Sequence, residues 1–194
     1  MDLGVFLFIN NLDLNCFNWV NHSIHNAALD VFMPLLSYSG QAGLIWLLFG
    51  LALFVFGSRE SKKTAILMLV AVGASYLAGE CIKHTFDRPR PFLAMPGVEL
   101  LVGPPGTFSF PSEHTANAFA AWFVLARKQY TLSWMVVLLA FAMAFSRVYV
   151  GVHYPLDVLA GSLLGTACAA LVLKYEHMVF HAAGKLKAPA GWDI

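Results

Sequence analysis

The chain has 194 residues, of which 59% are hydrophobic and 12% charged, with a net charge of +1. Soluble domains run nearer about 45–50% apolar and about 25% charged, so this composition excludes an ordinary water-soluble fold. The near-neutral balance gives no reason to expect a nucleic-acid partner. The expected class is an all-α integral membrane protein, a bundle of about five transmembrane helices with N-terminal interfacial helices, and its first partner is the lipid bilayer.

Residues 1–40 alternate short apolar clusters with Asn, His and Asp and hold no run of the roughly 20 apolar residues that a crossing requires. They read as helices lying in the interface, with Phe6, Phe17 and Trp19 as anchors; a short span over residues 27–38 is the competing reading. The first ten residues carry neither a basic start nor a small-residue cleavage site, so no signal peptide is read. Gln41–Gly57 is the first uncharged span and Thr64–Phe86 the second. Asp87–Phe110 is a Pro- and Gly-rich loop. Apolar helices follow over residues 112–126, 131–146 and 155–173, and the polar tail after Lys174 reads as surface or disordered. The expected organisation is one unit over residues 1–194: interfacial segment 1–40, transmembrane catalytic core 41–176 and cytoplasmic tail 177–194. The pairs Gly161/Gly165 and Ala74/Ala78 predict close helix contacts. Cys16, Cys81 and Cys168 show no metal or disulfide spacing and read as packing residues.

Lys and Arg favour the cytoplasmic side of short loops. With five spans, Arg59, Lys62 and Lys63, then Arg127 and Lys128, then Lys174, Lys185 and Lys187 all fall on one face. The other face receives the ends that carry every unusual ionisable residue. Three clusters converge there. Lys83 closes the second span and Arg90 follows in a Pro-stiffened turn, with Arg88 as a further cation. Ser112, Glu113 and His114 open the third helix, where free backbone N–H groups favour an anion. Arg147, His153 and Asp157 lie around the start of the fifth helix. There the Asp157 carboxylate can turn back to His153, fix its tautomer and hold the other ring nitrogen outward as a nucleophile. Arg forks, a Lys point charge, a hydroxyl and two histidines suit phosphoryl transfer. No dense Asp/Glu/His ligand set is present, so a metal-independent phosphohistidine route with no cofactor is expected.

These residues resemble the type 2 phosphatidic acid phosphatase superfamily, which also includes the vanadium haloperoxidases. Its signature is matched by Lys83, Arg90 and Pro91, by Pro111, Ser112 and His114, and by Ser146, Arg147, His153 and Asp157; Glu113 stands where the pattern has Gly. The resemblance implies that His153 is the nucleophile oriented by Asp157. It implies that His114 protonates the leaving oxygen and later activates water, and that Lys83, Arg90, Ser112, Arg147 and the Glu113 backbone hold phosphate. The acidic residue at 113, the stretch around Gly151–Gly161 and the chain length look like the small bacterial undecaprenyl-diphosphate phosphatases of this superfamily.

The function this resemblance implies is hydrolysis of a lipid phosphate or diphosphate, foremost undecaprenyl diphosphate to undecaprenyl phosphate and phosphate, at the outer face of a bacterial inner membrane. Phosphatidylglycerophosphate, phosphatidate and lipid A are alternative substrates. Lipid-to-lipid phosphotransfer and non-catalytic lipid-phosphate binding or transport are alternative functions. The Asp87–Phe110 loop and residues 1–40 are expected to shape the lipid entrance, with Phe92, Leu93 and Met95 offering apolar contact. Oligomeric state is not legible.

Overall fold

Apolar stretches in a membrane leave the backbone no partner but itself, which forces helix. A computed structural model describes residues 2–185, and no strand occurs among them. The five helices of the expected bundle are α3 (Leu44–Phe56), α4 (Arg59–Phe86), α6 (Glu113–Arg127), α7 (Ser133–Tyr149) and α8 (Pro155–Lys174). They are preceded by α1 (Leu3–Asn18) and α2 (Ala27–Ser39), and α5 (Pro91–Ala94) is a single turn in the long loop. The stretches Arg59–Ala94 and Pro155–Lys174 are long and apolar enough to cross a membrane; α2 and the stretch Gln41–Phe56 pass the same test together, bent by 55° at their break.

Helix α6 sits in the middle of the bundle. At 15 residues it is about 22 Å long, short of the roughly 30 Å hydrocarbon layer. Its residues Thr115–Ala121 are all buried, and it packs against α8, α4 and α7. The predicted small-residue contact on α8 is real and is what permits this: a Cβ on Gly161 would collide with the Ser112 carbonyl oxygen, and one on Gly165 with that of Ala116. On α4 the inward row is Ala71, Ser75 and Gly79, one position away from the expected Ala74 and Ala78. Helix α4 is apolar nearly all round, so composition did not reveal which stripe faces inward.

Two apolar clusters form. The larger, around Trp46, Leu67, Met68, Val124 and Met143, fills the bundle. The second lies beneath the opposite end and joins Phe17, Val20 and Met33 to Val148, Val150, Val152 and Tyr154. The N-terminal helices thus cover the α7–α8 junction. Phe6 and Trp19 are exposed as expected of anchors, whereas Phe17 is fully buried against Tyr154 at 5.6 Å between ring centres. The cysteines also depart from expectation: Cys16 and Cys81 face outward and Cys168 is half-buried, because the outside of such a bundle is itself apolar and draws soft residues as readily as the core does.

At one end Tyr130 donates to Ser61 at 2.7 Å and Lys128 pairs with Glu176 at 2.5 Å, which brings the Arg59–Lys63, Arg127–Lys128 and Lys174 groups together. The expected surface tail instead continues as α9 (Glu176–Lys185), whose Val179 and Phe180 pack on the core. Residues 186–194 lie outside the described residues.

Candidate active site

Backbone hydrogen bonds tie the three polar clusters together at the other end. Ser109 N donates to the Arg88 carbonyl at 2.9 Å, and Ser112 N to the Asp157 carbonyl at 3.0 Å. The junction after α7 turns at Gly151, whose φ is +81° and whose Cα faces the Glu99 carbonyl so closely that a Cβ would stand 2.6 Å from its oxygen; no other residue type would meet both conditions without strain. Asn21 clamps this turn by donating to both the Glu99 and Tyr149 carbonyls at 2.9 Å. The chain then returns so that His153 N donates to the Arg147 carbonyl at 3.1 Å. His153 is thereby fixed by main chain before any side-chain contact is made.

A cavity of about 380 Å³ opens here, lined by Lys83, Arg90, Glu113, His114, Arg147 and His153. Six of the eight expected site residues therefore meet around one space. The other two do not line it. Ser112 is fully buried and its hydroxyl accepts from Thr115 at 3.0 Å, and Asp157 stands behind His153. Ser146 of the third cluster is likewise turned away, donating to the Met143 carbonyl at 2.7 Å.

Arg90 is held by the Thr107 carbonyl (2.6 Å) and hydroxyl (3.1 Å) and donates through Nη1 to the Val152 carbonyl at 3.0 Å. The same Nη1 lies 3.2 Å from His153 Nε2. Arg90 is a cation, and a guanidinium N–H can only donate. Nε2 is then the acceptor, so the neutral ring carries its proton on Nδ1. Burial, with Arg90 and Arg147 facing the ring, holds His153 well below its ordinary value of 6.5 and so favours that neutral form. Asp157 Oδ2 is 3.5 Å from Nδ1, longer than a formed hydrogen bond, so the tautomer is set from the Arg90 side rather than by the carboxylate alone.

Arg147 donates to the Ser37 hydroxyl, and Glu113 forms an ion pair with Lys83 at 2.8 Å, with Glu80 on the same ammonium at 3.3 Å. The acidic side chain at position 113 is thus an internal counter-ion for Lys83. Arg88, expected as a further phosphate cation, is engaged elsewhere: it bridges Asp13 and Asp157, each at 2.6 Å, and is no part of the cavity wall. The rest of the wall comes from Ser37, Tyr38 and Gln41 at the α2–α3 bend and from Val102, Gly103, Pro104, Pro105 and Thr107 of the loop. Both expected segments therefore reach the cavity, though through other residues than Phe92, Leu93 and Met95; Phe92 and Met95 pack inward and Leu93 is exposed. Sequence reasoning missed Ser37, Thr107 and Asp13. Only Asp13 carried a signal, as the single charged residue within α1.

Comparison with known proteins gives a consistent picture. A family model described as PAP2 superfamily matches residues 64–180. The chain is 30% identical over 166 residues, 84% of its length and 80% of the relative's, to the bacitracin transport permease protein BcrC of Bacillus licheniformis. It is 29% identical over 157 residues, 81% of its length and 80% of the relative's, to the undecaprenyl-diphosphatase BcrC of Bacillus subtilis. Among solved structures it is similar to Aquifex aeolicus LpxE, with a TM-score of 0.74 and 33% identity over 84% of this chain and 96% of that one.

Proposed function

The chain belongs to the PAP2 superfamily and is a membrane lipid phosphatase, and from that premise we propose that it hydrolyses undecaprenyl diphosphate to undecaprenyl phosphate and phosphate through a phosphohistidine. The observation that carries the mechanism is the placement of His153 Nε2, the unprotonated ring nitrogen, against Arg90 in a cavity also walled by Arg147, Lys83 and His114. Nε2 attacks the terminal phosphorus, a P–N bond forms, and the P–O bond to the lipid phosphate breaks. His114 gives a proton to the departing oxygen. A water that returns its proton to His114 then attacks phosphorus, the P–N bond breaks, and His153 is restored with release of phosphate. Arg90 and Arg147 spread the charge that grows on the equatorial oxygens, and Lys83 joins them once the phosphate displaces Glu113. No step requires a metal.

The lipid diphosphate assignment is supported by the name of the B. subtilis relative and by the long-chain access that a cavity at a membrane end gives. The proposed setting is the outer face of a bacterial inner membrane, with the basic end of the bundle in the cytoplasm. One observation favours a second reading: the B. licheniformis relative is named for transport, and a cationic cavity without turnover would serve to bind or move a lipid phosphate. Protein purified in detergent and given undecaprenyl diphosphate, phosphatidylglycerophosphate and phosphatidate, with and without EDTA, separates these. Phosphate release is expected to be fastest from the diphosphate, unchanged by EDTA, and about a thousandfold or more slower in His153→Ala. Binding without product would favour transport, and turnover retained in His153→Ala would refute the phosphohistidine.

A further inference from the structure

Asp157 is the acid behind the proposed nucleophile, yet the network that holds it reaches beyond the three clusters to Asp13 of α1. Arg88 Nη1 donates to Asp157 Oδ1 at 2.6 Å and Nη2 donates to Asp13 Oδ2 at 2.6 Å, while the guanidinium stacks over the Tyr154 ring at 3.9 Å. The second oxygen of Asp13 accepts from Leu156 N at 2.8 Å. Asp157 Oδ2 accepts from Tyr154 N at 2.9 Å and faces His153 Nδ1. We propose that Asp13 of α1 and Arg88 are positioning residues that aim Asp157 at His153, so that the N-terminal helix is part of the reaction apparatus; this rests on His153 being the nucleophile.

The chemistry argues for more than fastening. Both carboxylates are fully buried, which is costly unless a cation is shared closely between them. One planar fork does this with one N–H group for each acid, a geometry that a lysine cannot copy. By taking Oδ1, Arg88 turns Oδ2 toward the imidazole. Because Asp13 claims part of the same guanidinium charge, Asp157 keeps negative charge to offer His153 as the ring becomes cationic on forming its bond to phosphorus. Asp13 also caps α8 in trans: the Leu156 N–H is one of the donors that a helix start leaves without a backbone partner. The position of Asp157 on the first turn is thus set by α1 as well as by its own helix.

Charged and titratable groups around His153 are Arg90, Arg147, Lys83, Glu113 and His114 in the cavity wall and Asp157 behind the ring, with Arg88 and Asp13 beyond. The sign of each perturbation follows. Arg88→Gln leaves Asp157 uncompensated and favours protonated His153, so the acid limb of the kcat/KM profile moves to higher pH. Asp13→Asn keeps an acceptor for Leu156 N–H but gives all of Arg88 to Asp157, so the limb moves to lower pH. With farnesyl diphosphate as the probe, each limb is expected to move by about one pH unit in these opposite directions. At the optimum kcat should fall about 10- to 100-fold with KM nearly constant. Arg88→Lys should fail to restore kcat. If the variants fold, as judged by detergent melting, and keep the parental limb, or lose activity only in proportion to folded protein, the positioning role is wrong. His153→Ala in the same preparations tells the two readings apart: turnover there overturns both, whereas an inactive His153→Ala beside unshifted Asp13 and Arg88 variants overturns only the positioning role.

Discussion

His153 shows how a single side chain is prepared by its neighbours. It is nearly completely buried, its main chain is pinned to Arg147, and its reactive nitrogen is oriented by a cation that can only donate. Holding it neutral has a consequence for stability. A ring whose protonation is disfavoured in the fold takes up protons more readily when unfolded, so stability is full above the ordinary value of 6.5 and is lost as pH falls below it. Thermal inactivation in detergent should therefore come at lower temperature at pH 5 than at pH 7, and His153→Asn should lose less over the same interval; equal losses would show that other groups carry the acid sensitivity. Glu113 offers a second test at this scale. With the carboxylate already on Lys83, an incoming phosphate must displace it, so Glu113→Gln should bind inorganic phosphate or vanadate about 3- to 10-fold more tightly in competition assays, corresponding to the release of one close ion pair. An unchanged or weaker inhibition constant would mean that Lys83 does not reach the phosphate. Both residues were legible from the sequence as titratable groups at helix ends, and Asp157 as the acid beside His153; that Arg90 faces the reactive ring nitrogen and that Lys83 pairs with Glu113 was not, because segments distant in the chain share no spacing.

At the scale of elements, the close crossing of α6 and α8 is what brings the second and third clusters together. It depends on residues without side chains: Gly161 and Gly165 lie directly against carbonyl oxygens of α6. Gly165→Ala should force the helices apart and destabilise by about 1–3 kcal/mol, with loss of activity, since Ser112 N is bonded to the Asp157 carbonyl across the same contact. Gly73→Ala meets nothing within 4 Å and serves as the control, neutral or stabilising by about 0.5–1 kcal/mol through helix propensity. Comparable melting of the two variants would remove the packing argument. The α8 pair was readable from spacing because small residues four apart face one way on a helix. The same rule pointed one position off on α4, where Ala71, Ala74, Ser75, Ala78 and Gly79 offer two overlapping small rows and only the position of α6 selects between them.

For the whole molecule, the cavity is closed by parts far apart in the chain: the α2–α3 bend, the long loop and the α7–α8 junction. Tyr38 joins the first two, its hydroxyl accepting from Gly103 N at 3.2 Å. Exchanging the 98–107 stretch for that of a relative with another substrate should change lipid preference more than turnover of a small soluble phosphate ester; equal change in both would place lipid selection elsewhere. The residues alone determined a helical membrane chain, five apolar helices, a basic end and an opposite end rich in phosphate-handling groups, because hydropathy and charge placement act locally and need no fold to be read. Tertiary structure alone decided that α6 is the buried centre, that Glu113 neutralises Lys83, and that Arg88 leaves the phosphate site to join Asp13 with Asp157. Those outcomes depend on which charges come within about 3 Å of one another once α1, α4, α6 and α8 have packed, and pairing between distant segments leaves no period or spacing in a sequence.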